Sequence, residues 1–92
     1  MRISKVKLSS KCKDGSLVKE YTLTRGVDDQ DLAALSLEPG NLGERTIGGN
    51  RLFTYTSDLL TMKGMYGDIV VYVTHRKEDT DAVDQKIHTI FA

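Results

Sequence analysis

"EPGNLGERTIGGN", Glu38–Asn50, holds glycines at 40, 43, 48 and 49, half of the eight in this chain of 92 residues. A Walker-type loop places Lys and then Ser or Thr after its last glycine, so that a cation reaches the phosphates and a hydroxyl reaches magnesium. Here Gly49 is followed by Asn50 and Arg51. A dinucleotide-binding turn needs G-x-G-x-x-G between a strand and a helix, with the helix N-terminus behind the phosphates. This stretch follows a predicted helix and precedes a predicted strand. It is therefore expected to be a set of turns, with Gly40 ending the helix and Gly48-Gly49-Asn50 leading into the strand. Arg45 and Arg51 flank the cluster and have the chemistry to grip a phosphate or carboxylate, without a motif to direct it.

Upstream, "GVDDQDLAALSLEPG" predicts a short helix. Asp28 is suited to the N-cap, and Asp29 and Asp31 put negative charge in the first turn, where the helix dipole favours it. Val27 and Leu32 have the spacing of a hydrophobic staple. Leu32, Leu35 and Ala34 are expected to face the core, and Pro39-Gly40 to stop the helix. Further upstream, residues 2–24 predict a β-hairpin about "KDGS", with Asp14-Gly15 as a type I′ turn. Alternation in its first strand puts Val6, Leu8 and Cys12 on one face and Lys5, Lys7 and Lys11 on the other.

Downstream, "RLFTYTS" (51–57) is rich in β-formers, with Phe53 and Tyr55 on one face. "DLLTMKGMYGD" is expected as a connecting loop, and "IVVYVTH" (69–75) as a strand apolar on both faces, the pattern of a mid-sheet strand covered on both sides. "EDTDAVDQKIHTIFA" predicts a closing helix. Its Val83, Ile87, Ile90 and Phe91 form one stripe, and Thr80 or Asp79 is the expected cap. The expected fold is a single α+β domain over residues 1–92. It has two layers: an antiparallel sheet of about four strands in ββαββα order, with both helices packed on one face. Val70 and Tyr72 then point away from the helices, which predicts a second subunit or another partner over the sheet.

Ninety-two residues with 39% apolar and 28% charged content suit one folded core. The longest apolar run, Ile69–Val73, is too short for a membrane span. "MRISKVKLSS" lacks the apolar region of a signal peptide, so the expected setting is cytoplasmic. Charge is balanced overall but polarised. Residues 1–25 carry seven basic and two acidic side chains, and residues 26–92 carry six basic and eleven acidic ones.

That polarity singles out Lys5, Lys7, Lys11, Lys13 and Lys19 as candidates for contacting nucleic-acid phosphates. Lysines also guard edge strands against unwanted pairing, which is the plainer account of them. Met62, Met65 and Tyr66, set between glycines, are candidates for a partner contact along with Val70 and Tyr72; folding back over the core is the competing fate of the methionines. The lone Cys12 lies between two lysines, which favour its thiolate, and His75 is the available base, but no third group completes a catalytic set. His75, Glu78, Asp79 and Asp81 lack the spacing of a metal site. No cofactor or metal is expected. The function expected first is a small non-enzymatic interaction or regulatory protein that self-associates or binds a protein partner. The alternatives are a nucleic-acid-binding module built on the basic hairpin, and a small enzyme using Cys12 or His75.

Overall fold

The computed structural model describes residues 2–91. Met1 and Ala92, included in the expected domain span, lie outside the described residues. The chain runs β1 (Ile3–Lys11), β2 (Ser16–Leu23), α1 (Asp29–Ser36), β3 (Asn41–Ile47), β4 (Asn50–Thr56), β5 (Thr61–Met65), β6 (Val70–Arg76) and α2 (Thr80–Ile90), with one 3₁₀ turn at Lys77–Asp79 before α2. The six strands form one antiparallel sheet in the order β1-β2-β6-β5-β4-β3. After the N-terminal hairpin, α1 carries the chain to the far edge. A four-stranded meander then returns until β6 pairs with β2, and α2 closes over the same side.

The four-stranded ββαββα layout is thus corrected to ββαββββα, while the α+β composition with helices against one face stands. Both additional strands lie where loops were expected. In β3 only Leu42 is half-buried, so this rim strand carries no alternating apolar signal. Its existence depends on Gly48-Gly49, whose φ angles of 57° and 84° make a two-residue hairpin onto β4. In β5 the glycine that suggested a loop marks a close approach: a Cβ on Gly64 would lie 2.8 Å from the Phe53 ring.

One core lies between sheet and helices. The sheet contributes Tyr21, Leu23, Phe53, Tyr55, Met62, Val71 and Val73; α1 adds Leu32 and Leu35; α2 and its end add Val83, Ile87 and Phe91. The predicted stripe of α2 is therefore its buried face, with Ile90 at the margin. Each such side chain contributes roughly 1.5–3 kcal/mol by leaving water. In α1, Asp28 accepts from the Asp31 backbone N–H at 3.0 Å, and Asp31 accepts from the Asp28 N–H at 3.0 Å, a reciprocal capping box. The helix ends at Ser36, ahead of Pro39. At α2, Asp79 occupies the N-cap position but makes no capping bond; it pairs instead with Arg76 at 3.1 Å.

Asp31 has a second role. With Arg2 it forms a two-pronged ion pair, both side chains 6% exposed, in which Arg2 Nη2 donates to Asp31 Oδ2 at 2.7 Å and to the Gly26 carbonyl at 2.8 Å. The guanidinium also lies over the Phe91 ring, 5.6 Å from its centroid. Hydrogen bonding to Asp31 holds the Arg2 pKa above its ordinary value, against the effect of burial. One side chain next to the first strand thus joins α1 to the end of the chain.

The N-terminal turn differs from the expected type I′. Gly15 alone has positive φ, 90°, and its N–H donates to the Cys12 carbonyl at 3.2 Å. That is a type I turn closed by a left-handed glycine. Irregularities between Ile3 and Lys5 and between Leu8 and Ser10 also break the alternation of β1.

Candidate functional site: the open face of the sheet

Residues directly opposite each other on antiparallel strands point to the same side, so register assigns each side chain to a face. The face away from the helices contains three rows. The first runs Lys5, Thr22, Val70, Met65, Leu52, Arg45. The second runs Lys7, Glu20, Tyr72, Lys63, Thr54, Gly43. The third runs Ser10, Val18, Thr74, Thr61, Thr56, Asn41. Arg76 opposite Ser16 follows beyond the third row. Among the described residues, the face therefore carries five cations, Lys5, Lys7, Arg45, Lys63 and Arg76, against the single carboxylate of Glu20. Five strand spacings of about 4.8 Å separate Lys5 from Arg45, so the charge extends across about 24 Å.

The opposite side has the complementary arrangement. Its acidic residues are largely engaged: Asp31 with Arg2, Asp28 with Arg25 at 2.6 Å, Asp29 and Glu44 with Arg51 at 3.3 and 2.9 Å, and Glu38 with Lys86 at 2.9 Å. Among the described residues, Lys5, Lys7, Arg45 and Lys63 have no ion-pair partner. Lys11, Lys13, Lys19 and Lys77 also lack an ion-pair partner among the described residues, so what distinguishes the open face is four such cations on one surface with a single carboxylate.

Tyr72 sits near the centre of this face, 43% exposed. Glu20 on the neighbouring strand raises its pKa, chiefly by direct charge and then by hydrogen bonding. Val70, Met65 and Leu52 beside it are half-buried. Strand β6 does lie in the middle of the sheet, but it is covered on one side only. Val71 and Val73 are fully buried against the helices, whereas Val70 and Tyr72 face outward; Ile69, just before the strand, is 45% exposed. The expectation of cover on both sides is not met within this chain.

The remaining candidates separate. Lys5 and Lys7 lie on the open face. Lys11 does not, because the extra residue between Leu8 and Ser10 reverses the alternation of β1; Lys19, two residues from the core residue Tyr21 on β2, stands opposite Leu8 and Val73 on the helix side. Lys13 is in the exposed turn. Met62 is fully buried in the core, Met65 is on the open face, and Tyr66 packs beneath the Arg51 guanidinium, 4.8 Å from its ring centroid. Sequence reasoning misses Lys63 and marks Arg45 only as a cation beside the glycine cluster, not as a member of this face. Their membership follows from parity with Tyr72 and Leu52, which requires knowing that β3 and β5 are strands.

Cys12 and His75, the alternative nucleophile and base, sit in different settings. Cys12 is exposed in the hairpin turn. His75 is 4% exposed on the helix side of β6, and its Nδ1 lies 2.7 Å from the Arg76 carbonyl, which makes Nδ1 the protonated nitrogen. A cleft of about 420 Å³ opens at one end of the sheet, lined by Pro39, Tyr55, Leu59, Leu60 and Lys86 among others. Two of its polar groups are committed: the Tyr55 hydroxyl donates to the Pro39 carbonyl, and Lys86 pairs with Glu38. Among the described residues, no three His, Cys, Asp or Glu side chains are grouped to hold a metal ion, and no helix is long and apolar enough to cross a membrane. Comparison with protein families, with curated proteins and with solved structures yields no match.

Proposed function

We propose that this protein binds nucleic acid through the open face of its sheet. Lys63 is the observation that carries the reading. Edge protection accounts for Lys5 and Lys7, because β1 is an outer strand. It does not account for Lys63, which lies on β5 between β4 and β6, where there is no edge to protect and, among the described residues, no carboxylate within pairing distance. A lysine facing water in the interior of a sheet, in line with Lys7 and one row from Arg45, fits a phosphate backbone crossing the strands.

Polarity also argues against closing this face with a second copy. Two such faces would bring five cations from each side together with one carboxylate from each. An anionic polymer satisfies the same charges and releases its counterions.

The test is titration of a labelled oligonucleotide by fluorescence anisotropy. For about five phosphate contacts on a single strand, affinity should fall roughly a hundredfold between about 50 and 200 mM salt. Lys63→Glu should weaken binding about tenfold and flatten the salt dependence, while the same reversal at Lys11 should do less. An absence of binding at low salt, or equal affinity for Lys63→Glu and wild type, would remove this function.

A second reading is that the protein self-associates or binds a protein partner in the cytosol. It is supported by Val6 and Leu8, 42% and 44% exposed on the helix side of β1, beyond the reach of the helices. Light scattering decides it: a mass above the monomer that returns to monomer in a Val6→Ser, Leu8→Ser variant supports the reading, and a monomer at high concentration with no protein partner captured counts against it.

A further inference from the structure

Resting on the nucleic-acid reading above, we infer that the ligand is single-stranded, with one unstacked base seated on Tyr72 and the flanking phosphates held by Lys63 and Lys7. Width is the first reason. The open face is about 24 Å across its six strands, whereas the major groove of duplex DNA is about 12 Å wide and admits a helix or a two-stranded ribbon. A six-stranded face cannot enter that groove. Against a duplex it would meet only the outermost phosphates, leaving Tyr72 and the apolar residues beside it without contact.

Placement is the second reason. Single-strand binders combine cations that follow the backbone with an aromatic ring on which a base stacks. Tyr72 is the aromatic residue that register places on this face, near its middle, with Lys63 directly opposite on β5 and Lys7 in the same row two strands away. In the neighbouring row Val70 and Met65 provide an apolar ledge for the edge of the base. Tyrosine is ordinarily neutral at physiological pH, so the ring adds no charge of its own; the one carboxylate of the row, Glu20, stands between it and Lys7. Polar threonines occupy much of the remaining face, a surface on which a single strand can lie without displacing a core side chain.

The experiment compares a mixed-sequence single strand of about 12 nucleotides with a duplex of the same sequence, and with a sulfated polysaccharide as a polyanion lacking bases. Tyr72→Ala, Tyr72→Phe and Lys63→Glu are tested against wild type, each after its circular dichroism spectrum shows the fold retained. The single strand should bind at least about tenfold more tightly than the duplex. Tyr72→Ala should weaken the single strand about tenfold or more and leave polysaccharide binding unchanged, and Tyr72→Phe should remain near wild type. Equal affinity for single strand and duplex, with Tyr72→Ala neutral and Lys63→Glu weakening both, would overturn the single-strand inference while leaving the nucleic-acid reading intact. Weak or absent binding of every nucleic acid at low salt would overturn both. Polysaccharide binding as tight as that of the single strand and insensitive to Tyr72 would mean charge alone is read, which also overturns the inference.

Discussion

The two faces of one sheet have opposite compositions and opposite degrees of freedom. On the helix side, Tyr21, Met62, Val71, Val73, Val83 and Ile87 are fully buried, and the deeply buried cation Arg2 has a carboxylate on it. On the open side the described residues include threonines, half-covered aliphatics, one tyrosine and five cations, four of them without an ion-pair partner. Both faces are built by the same strands in alternation, so the difference was not forced by backbone geometry. The inner face has the composition of a folding core. The outer one is only half-covered, and its side chains are open to serve as a surface for something charged.

The largest test of that contrast is on the inner side. Asp31→Ala removes the partner of a buried guanidinium and one half of the α1 capping box, and should lower stability by about 3–5 kcal/mol in chemical denaturation. Lys63→Glu on the open face should change it by no more than about 0.5 kcal/mol. Equal losses would mean that the two faces share the energetic load. Next comes Gly64→Ala on the inner side of β5, where the new methyl would press on the Phe53 ring; the expected loss is about 1–3 kcal/mol by thermal melting. A neutral result would show that the core under β5 is looser than its burial implies.

The smallest effect is a pH dependence. Hydrogen bonding from the Asp31 N–H, joined by the Arg25 guanidinium, holds Asp28 below the ordinary carboxylate range. Because the folded value is depressed, its stabilisation is present above the ordinary Asp value of about 3.9 and is lost as pH falls through the folded value. Asp28→Asn keeps a capping acceptor without the charge. The melting temperature of the wild type should therefore fall more between about pH 5 and 2 than that of the variant. Parallel curves would show that the charge contributes nothing there.

Much of the helix side is legible in the sequence, because its signals are local. Asp28 is the cap, Leu32 and Leu35 point inward, and the 83-87-91 stripe of α2 is buried, each following from a helical period and an N-cap chemistry that need no distant partner. The N-terminal hairpin is legible for the same reason. Strands β3 and β5 are not. Asn41–Ile47 is polar on both sides because it lies at the rim, and Thr61–Met65 contains a glycine required by the Phe53 ring rather than by a turn. Only two of the five lysines chosen from sequence belong to the open face, since a single extra residue in β1 sends Lys11 to the other side.

Sequence alone therefore determined the α+β character, the two helices with their buried stripes, the first hairpin and the polarity of charge along the chain. Each of these is set by periodicity, turn residues or composition within a short stretch. Tertiary structure decided the strand count, the joining of β2 to β6, and the gathering of Lys5, Lys7, Arg45 and Lys63 around Tyr72. Those residues come from four strands, β1, β3, β5 and β6, and a face exists only once the backbone hydrogen bonds between strands have fixed which side chains stand opposite one another.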